Sequence, residues 1–133
     1  MRQKSLHIRW IRASLPLGAG FVLLAHVALG VAPHSVAIHT FTVGVIGCAI
    51  VAIITRTARG HTGRPLVGGP VEIACTGLIV VAALIRVLGP WLMPPLTMDW
   101  IVISGLCWAA ALFLYCVRYA PWLCLARADG KSG

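Results

Sequence analysis

Apolar residues in this chain run in four long blocks and do not alternate with polar ones. The blocks cover Leu15–Ala32, His39–Thr57, Val71–Leu92 and Trp100–Tyr119, and the stretches between them are rich in Pro, Gly and charge. Each is close to the roughly 20 residues that a helix needs to cross about 30 Å of hydrocarbon. A backbone group left unpaired in lipid costs several kcal/mol, so each block is expected to be helical. Strands are excluded because the blocks lack period-two patterning and are too few to close a barrel. The pattern predicts an all-α membrane protein with one domain over residues 1–133. Its four transmembrane helices form an up-down-up-down bundle, because the short connections force neighbouring spans to be antiparallel.

Composition and charge sharpen this picture. The chain is 59% hydrophobic and 11% charged, with a mean hydropathy of +0.93, whereas a soluble domain carries about 25% charged residues. All Lys and Arg except Arg86 precede the first block, lie between the end of the second and the start of the third, or lie at the end of the fourth and beyond. The opposite connections, Pro33–Ile38 and Met93–Asp99, contain neither. The positive-inside rule then places both termini in the cytoplasm, N-in/C-in. The net charge of +8 reads as a topology signal and an attraction to anionic lipid, not as a nucleic-acid surface. The basic region before the first block is long and no small-x-small site follows that block, so it is expected to stay as an anchor. Cys48, Cys75, Cys107, Cys116 and Cys124 form no C-x-x-C pair and read as small packing residues. Gly44, Cys48 and Ala52, and likewise Gly105, Ala109 and Ala110, offer small faces for close helix approach. A homo-oligomer or another membrane subunit is therefore an expected partner beside the lipid bilayer.

Polar groups inside such a chain are the candidates for chemistry. His26 lies within the first block and is expected to face the bundle interior. It serves there either as an interhelical hydrogen-bonding group or as a metal or haem ligand. His39 opens the second block, either as a helix-start histidine touching headgroups or as an axial ligand above the face of Thr42, Val43, Ile46, Ile50 and Ile53, a wall that suits a haem edge. His34 in the outer connection is a third candidate metal ligand. Met93 and Met98 share the outer side with these histidines, and thioether with imidazole suits Cu(I). Arg86 reads as a snorkelling residue or a propionate partner.

On the cytoplasmic side, Arg56, Arg59, His61 and Arg64 make a basic loop in which Gly60 is a candidate helix C′ residue. The loop reads as a capped helix end or as an anion site for a propionate, phosphate or headgroup. Glu72 is expected to pair with Arg64 or to stabilise the start of the third helix. No paired carboxylates, Ser/His/Asp grouping or H-E-x-x-H motif is present, so enzymatic turnover is the less favoured expectation. A small transporter is also less favoured, because one Arg and one His inside the spans make a poor polar pathway.

Three segments carry a family resemblance: His39-Thr-Phe-Thr-Val-Gly44, Ile54-Thr-Arg56 and Arg59-Gly-His-Thr-Gly-Arg-Pro65. Ser104-Gly-Leu-Cys-Trp-Ala-Ala110, Val117-Arg-Tyr119 and Asp129-Gly-Lys add to it. From about Leu15 onward the chain resembles the C-terminal part of the NnrS proteins, bacterial inner-membrane proteins reported to contain haem and copper and linked to nitric oxide. The resemblance implies haem, with copper as a second cofactor, and a role in nitric oxide response or relief of nitrosative stress. His39 and His61 sit at family-motif positions. The candidate cofactor site is His39 and His26 as axial ligands, with Arg56, His61 and Arg64 shaping the cytoplasmic side. Members have more spans than the four read here, and a His-x-Gly-Tyr-like segment precedes their Leu-Pro-Leu-Gly. This chain has Arg9-Trp-Ile-Arg12 there, with His7 nearby. The second expectation is a non-catalytic membrane subunit that packs against a partner without a cofactor.

Overall fold

The computed structural model describes residues 22, 24–31, 33–128 and 130, and these are helical or irregular with no strand among them. Half of the first apolar block lies outside the described residues, as do the basic N-terminal segment, Asp129 and Lys131. Within that block, residues 24–28 are helical, and the chain turns at Gly30 with φ 71°.

Helix α1 runs from His34 to His61, α2 from Pro70 to Leu92, and α3 from Thr97 to Cys124 after a 3₁₀ turn at Pro94–Leu96. All three are long and apolar enough to cross a membrane. The second block therefore begins at His34 and not at His39, and the expected outer connection Pro33–Ile38 is helical from its second residue. Pro33, in extended conformation, sets that start. α1 and α3 also run past Thr57 and Tyr119. Hydropathy marks where a helix is apolar, and polar turns at either end continue the same hydrogen-bond ladder.

Within α1, residues Thr40–Ile46 form a π-helical stretch. The hydroxyls of Thr40 and Thr42 each donate to the carbonyl four residues back, Val36 and Ile38, at 2.8 Å. Extra residues in a turn shift the phase of everything that follows. Gly44 and Gly47 consequently meet α2: a Cβ on Gly44 would lie 3.3 Å from Ala83, and one on Gly47 would lie 2.9 Å from Ile79. Ala52, expected on this contact face, is exposed.

The core combines Val51 and Ala58 of α1, Cys75 and Ile79 of α2, and Ala111, Tyr115 and Tyr119 of α3. Ser104 ties α3 to α2 by donating to the Ala82 carbonyl at 2.8 Å. At the far end of this pair Gly89 is covered by the Trp100 ring, 2.5 Å from where a Cβ would stand. The small face expected on α3 points outward: Gly105, Ala109 and Ala110 are exposed, and Ala111 packs instead. Ile53, Ile73, Leu84, Leu106 and Phe113 complete an outward surface that is apolar, as a lipid-facing surface is.

Candidate functional site

The charged end of the bundle is where three helices meet through polar groups. α1 stops at His61, with Thr62 as C-cap and Gly63 at φ 66°. Arg64 N–H donates to the Arg59 carbonyl at 2.9 Å, and Gly63 N–H to the Gly60 carbonyl at 3.3 Å. These are the two bonds of a Schellman cap. Gly63, not Gly60, is thus the C′ residue, because the helix goes a full turn beyond Thr57. α2 starts with Pro70 in its first turn, and Glu72 reaches back to the Gly69 N–H at 2.7 Å.

Arg59 is buried between these two helix ends and makes a bond from each of its nitrogens. Its Nη2 meets Glu72 Oε1 at 2.6 Å, its Nε donates to the Tyr119 hydroxyl at 3.1 Å, and its Nη1 donates to the Pro65 carbonyl at 3.0 Å. Tyr119 in turn donates to Glu72 Oε1. One ion pair and one phenol thereby connect α1, the loop, α2 and α3. Glu72 stabilises its helix start as expected, but its ionic partner is Arg59 and not Arg64, because Arg59 lies on the same face of α1 as the core residues Val51 and Ala58. Arg64 stacks elsewhere: its guanidinium carbon sits 4.1 Å from the Trp122 ring centroid, and that of Arg118 sits 4.2 Å from the same centroid. Tyr119 stacks on Tyr115 at 4.3 Å and meets Trp122 edge-on at 5.1 Å.

Beside this cluster a cleft of about 330 Å³ opens between α1 and α2, with Arg56, Thr55, Leu66, Val67 and Glu72 in its lining. Arg56 and His61 are exposed, and Arg64 is half-buried. Of the basic-loop residues expected to shape a site, Arg56 lines the cleft, Arg64 joins the Trp122 stack, and His61 caps the outer surface of α1.

The other described histidines, His26, His34 and His39, lie away from this end, with His34 and His39 in the opening turns of α1. His39 is half-buried just before the π-helical stretch, and the Arg86 guanidinium is the charge that acts on it. Ile46, Ile50 and Ile53 on the stripe below it are exposed and Val43 is half-buried, so the wall is open. His26 is exposed, and its Nδ1 lies 2.7 Å from the Val22 carbonyl. A carbonyl only accepts, so Nδ1 is the donor of this bond. Among the described residues, His26 therefore bonds to its own helix. His34, Met93 and Met98 are exposed. Among the described residues no three His, Cys, Asp or Glu side chains gather as a metal site.

A family model described as NnrS protein matches residues 4–127. The chain belongs to the NnrS family. No curated protein and no solved structure gives a match. As an NnrS member, the chain holds its family-motif residues at two ends of one bundle: His39 near the start of α1, and Arg59 to Pro65 at its close. The residues fit haem in three respects: a half-buried imidazole at His39, an open aliphatic stripe beneath it, and a nearby guanidinium at Arg86. Arg59, Tyr119 and Trp122 carry the best-built polar cluster; Arg59 was expected in the basic loop at the helix end and Tyr119 only within its motif, neither as the centre of a buried cluster. Helical spacing holds the signal for both. Arg59 follows the buried Val51 by eight residues, and Tyr119 follows the buried Ala111 and Tyr115 by eight and four.

Proposed function

We propose that this NnrS chain is a multi-pass protein of the bacterial inner membrane, with four spans and both termini in the cytoplasm, that binds haem near its outer face. In this reading it acts in nitric oxide response or nitrosative-stress relief. The observation that carries it is His39: a half-buried imidazole entering a π-helical turn, within the electrostatic reach of Arg86, in a family-motif segment. Single-turn π-helical distortions recur at functional sites. Haem, when bound, supplies a redox-active iron with affinity for nitric oxide. The chain's own part is to hold and shield it: His39 and His26 as axial ligands, Arg86 for a propionate, and Ile46, Ile50 and Ile53 as a dry wall. Copper is the second cofactor of this reading, with His34 as a further ligand.

An absorption spectrum of detergent-purified protein expressed with haem supply, oxidised and then dithionite-reduced, tests the reading. A Soret band with split α/β bands on reduction is expected, lost in His39→Ala. A colourless, folded, monodisperse sample overturns haem binding by this chain alone. For copper, metal analysis of the same sample is expected to show less of it in His34→Ala.

A second reading is favoured by the outward small-residue face of α3, where Gly105, Ala109 and Ala110 stand exposed between Leu106 and Phe113. Such a face lets another helix approach closely. The chain would then be a non-catalytic module packed against a membrane partner. A colourless preparation carrying a stoichiometric second membrane protein, lost on Gly105→Leu, would support it.

A further inference from the structure

Three guanidinium groups converge on one indole. The guanidinium carbons of Arg64, Arg118 and Arg59 lie 4.1, 4.2 and 5.3 Å from the Trp122 ring centroid, so all three sit within about one Debye length, roughly 10 Å, of each other. Arg59 is neutralised by Glu72. Arg64 and Arg118 are not: among the described residues neither guanidinium takes part in an ion pair, and Arg64 Nε is buried and unpaired. The other described carboxylate, Asp99, is in the first turn of α3, at the opposite end from Arg118. Cation–π stacking on Trp122 orients both guanidiniums, and no described carboxylate neutralises either.

We propose that Arg64 and Arg118, clamped on Trp122, bind a phosphate group, supplied in the cell by the headgroup of an anionic phospholipid. Arg forks match phosphate oxygens bidentately, and their stacked geometry lowers the ordering cost of engaging them. The location fits the source. Trp122 and Arg118 lie in the last two turns of a helix long enough to cross a membrane, where the aromatic ring meets the headgroup layer. The positive charge of the pair selects against zwitterionic lipids, whose own cation the arginines repel. This assignment rests on the reading that this end lies at the cytoplasmic bilayer surface.

Native mass spectrometry of the full chain in detergent, titrated separately with phosphatidylglycerol, phosphatidylcholine and inorganic phosphate, provides the test. Phosphatidylglycerol adducts are expected to survive where phosphatidylcholine adducts do not, with at least a tenfold loss of affinity in Arg64→Gln/Arg118→Gln. Equal phosphatidylglycerol binding by wild type and variant overturns the proposal. Inorganic phosphate that binds in a variant-sensitive way and displaces the lipid keeps the anion site but overturns the headgroup as its source. Should the double variant fail to elute as a folded species, Arg118→Gln, at an exposed position, makes the same comparison. Release of the protein by alkaline carbonate would instead count against the membrane reading, a failure distinct from loss of phosphate binding.

Discussion

Arg59 shows how a single side chain can hold a bundle end together. Its partners come from the loop (Pro65), α2 (Glu72) and α3 (Tyr119), and its side chain and that of Glu72 are only 11% and 10% exposed. A buried charge without its counter-charge costs more than the pair contributes, so the informative change removes one partner only. Glu72→Gln keeps the shape but leaves Arg59 buried without a carboxylate, and should destabilise the folded protein by about 3–5 kcal/mol. Tyr119→Phe keeps the stacking on Tyr115 and removes one hydroxyl, which should cost about 1–3 kcal/mol. Unfolding by denaturant in a mild detergent measures both. If the two losses came out equal and below about 1 kcal/mol, the cluster would be a surface pair in effect.

At the level of helices, the glycines separate one assignment from another. Gly63 adopts φ 66° as the C′ residue of α1, whereas Gly60 is helical with open space where a Cβ would go. Gly63→Ala should therefore cost about 1–2 kcal/mol, and Gly60→Ala should be neutral or stabilising by up to about 1 kcal/mol. The thermal midpoint should fall for Gly63→Ala and hold or rise for Gly60→Ala. Were the helix instead to end at Gly60, the order would reverse. Close packing gives a second contrast. A Cβ on Gly47 would stand 2.9 Å from Ile79 and 3.0 Å from Trp108, while Gly105 has open space around it. Gly47→Ala is expected to cost about 1–3 kcal/mol through overpacking, with Gly105→Ala close to silent in the isolated chain.

For the molecule entire, the ordering is that of a membrane module. The described helices bury a narrow seam of small and aromatic residues and turn large aliphatic side chains outward. Polar contacts are concentrated at the end where the charges are. The expected outcome is a chain that stays in the membrane fraction after carbonate washing. With the other cysteines replaced by Ser, Cys124 should react with a membrane-impermeant maleimide only in inside-out vesicles. Labelling from the outer side would reverse the N-in/C-in arrangement.

Read from its residues, the chain declared its helical class, three of its long apolar helices, its basic end and its family, because these follow from block hydropathy, charge placement and a contiguous motif. Such properties are sums over neighbouring positions, and folding does not alter them. The partners were a different matter. Glu72 pairs with Arg59 and not Arg64, Gly47 and not Ala52 meets α2, and Gly63 and not Gly60 closes α1. Each of these turns on helix phase. A π-helical stretch at Thr40–Ile46 and a few residues of extension rotate every later side chain, and a phase accumulated along a helix resolves only when the helices pack.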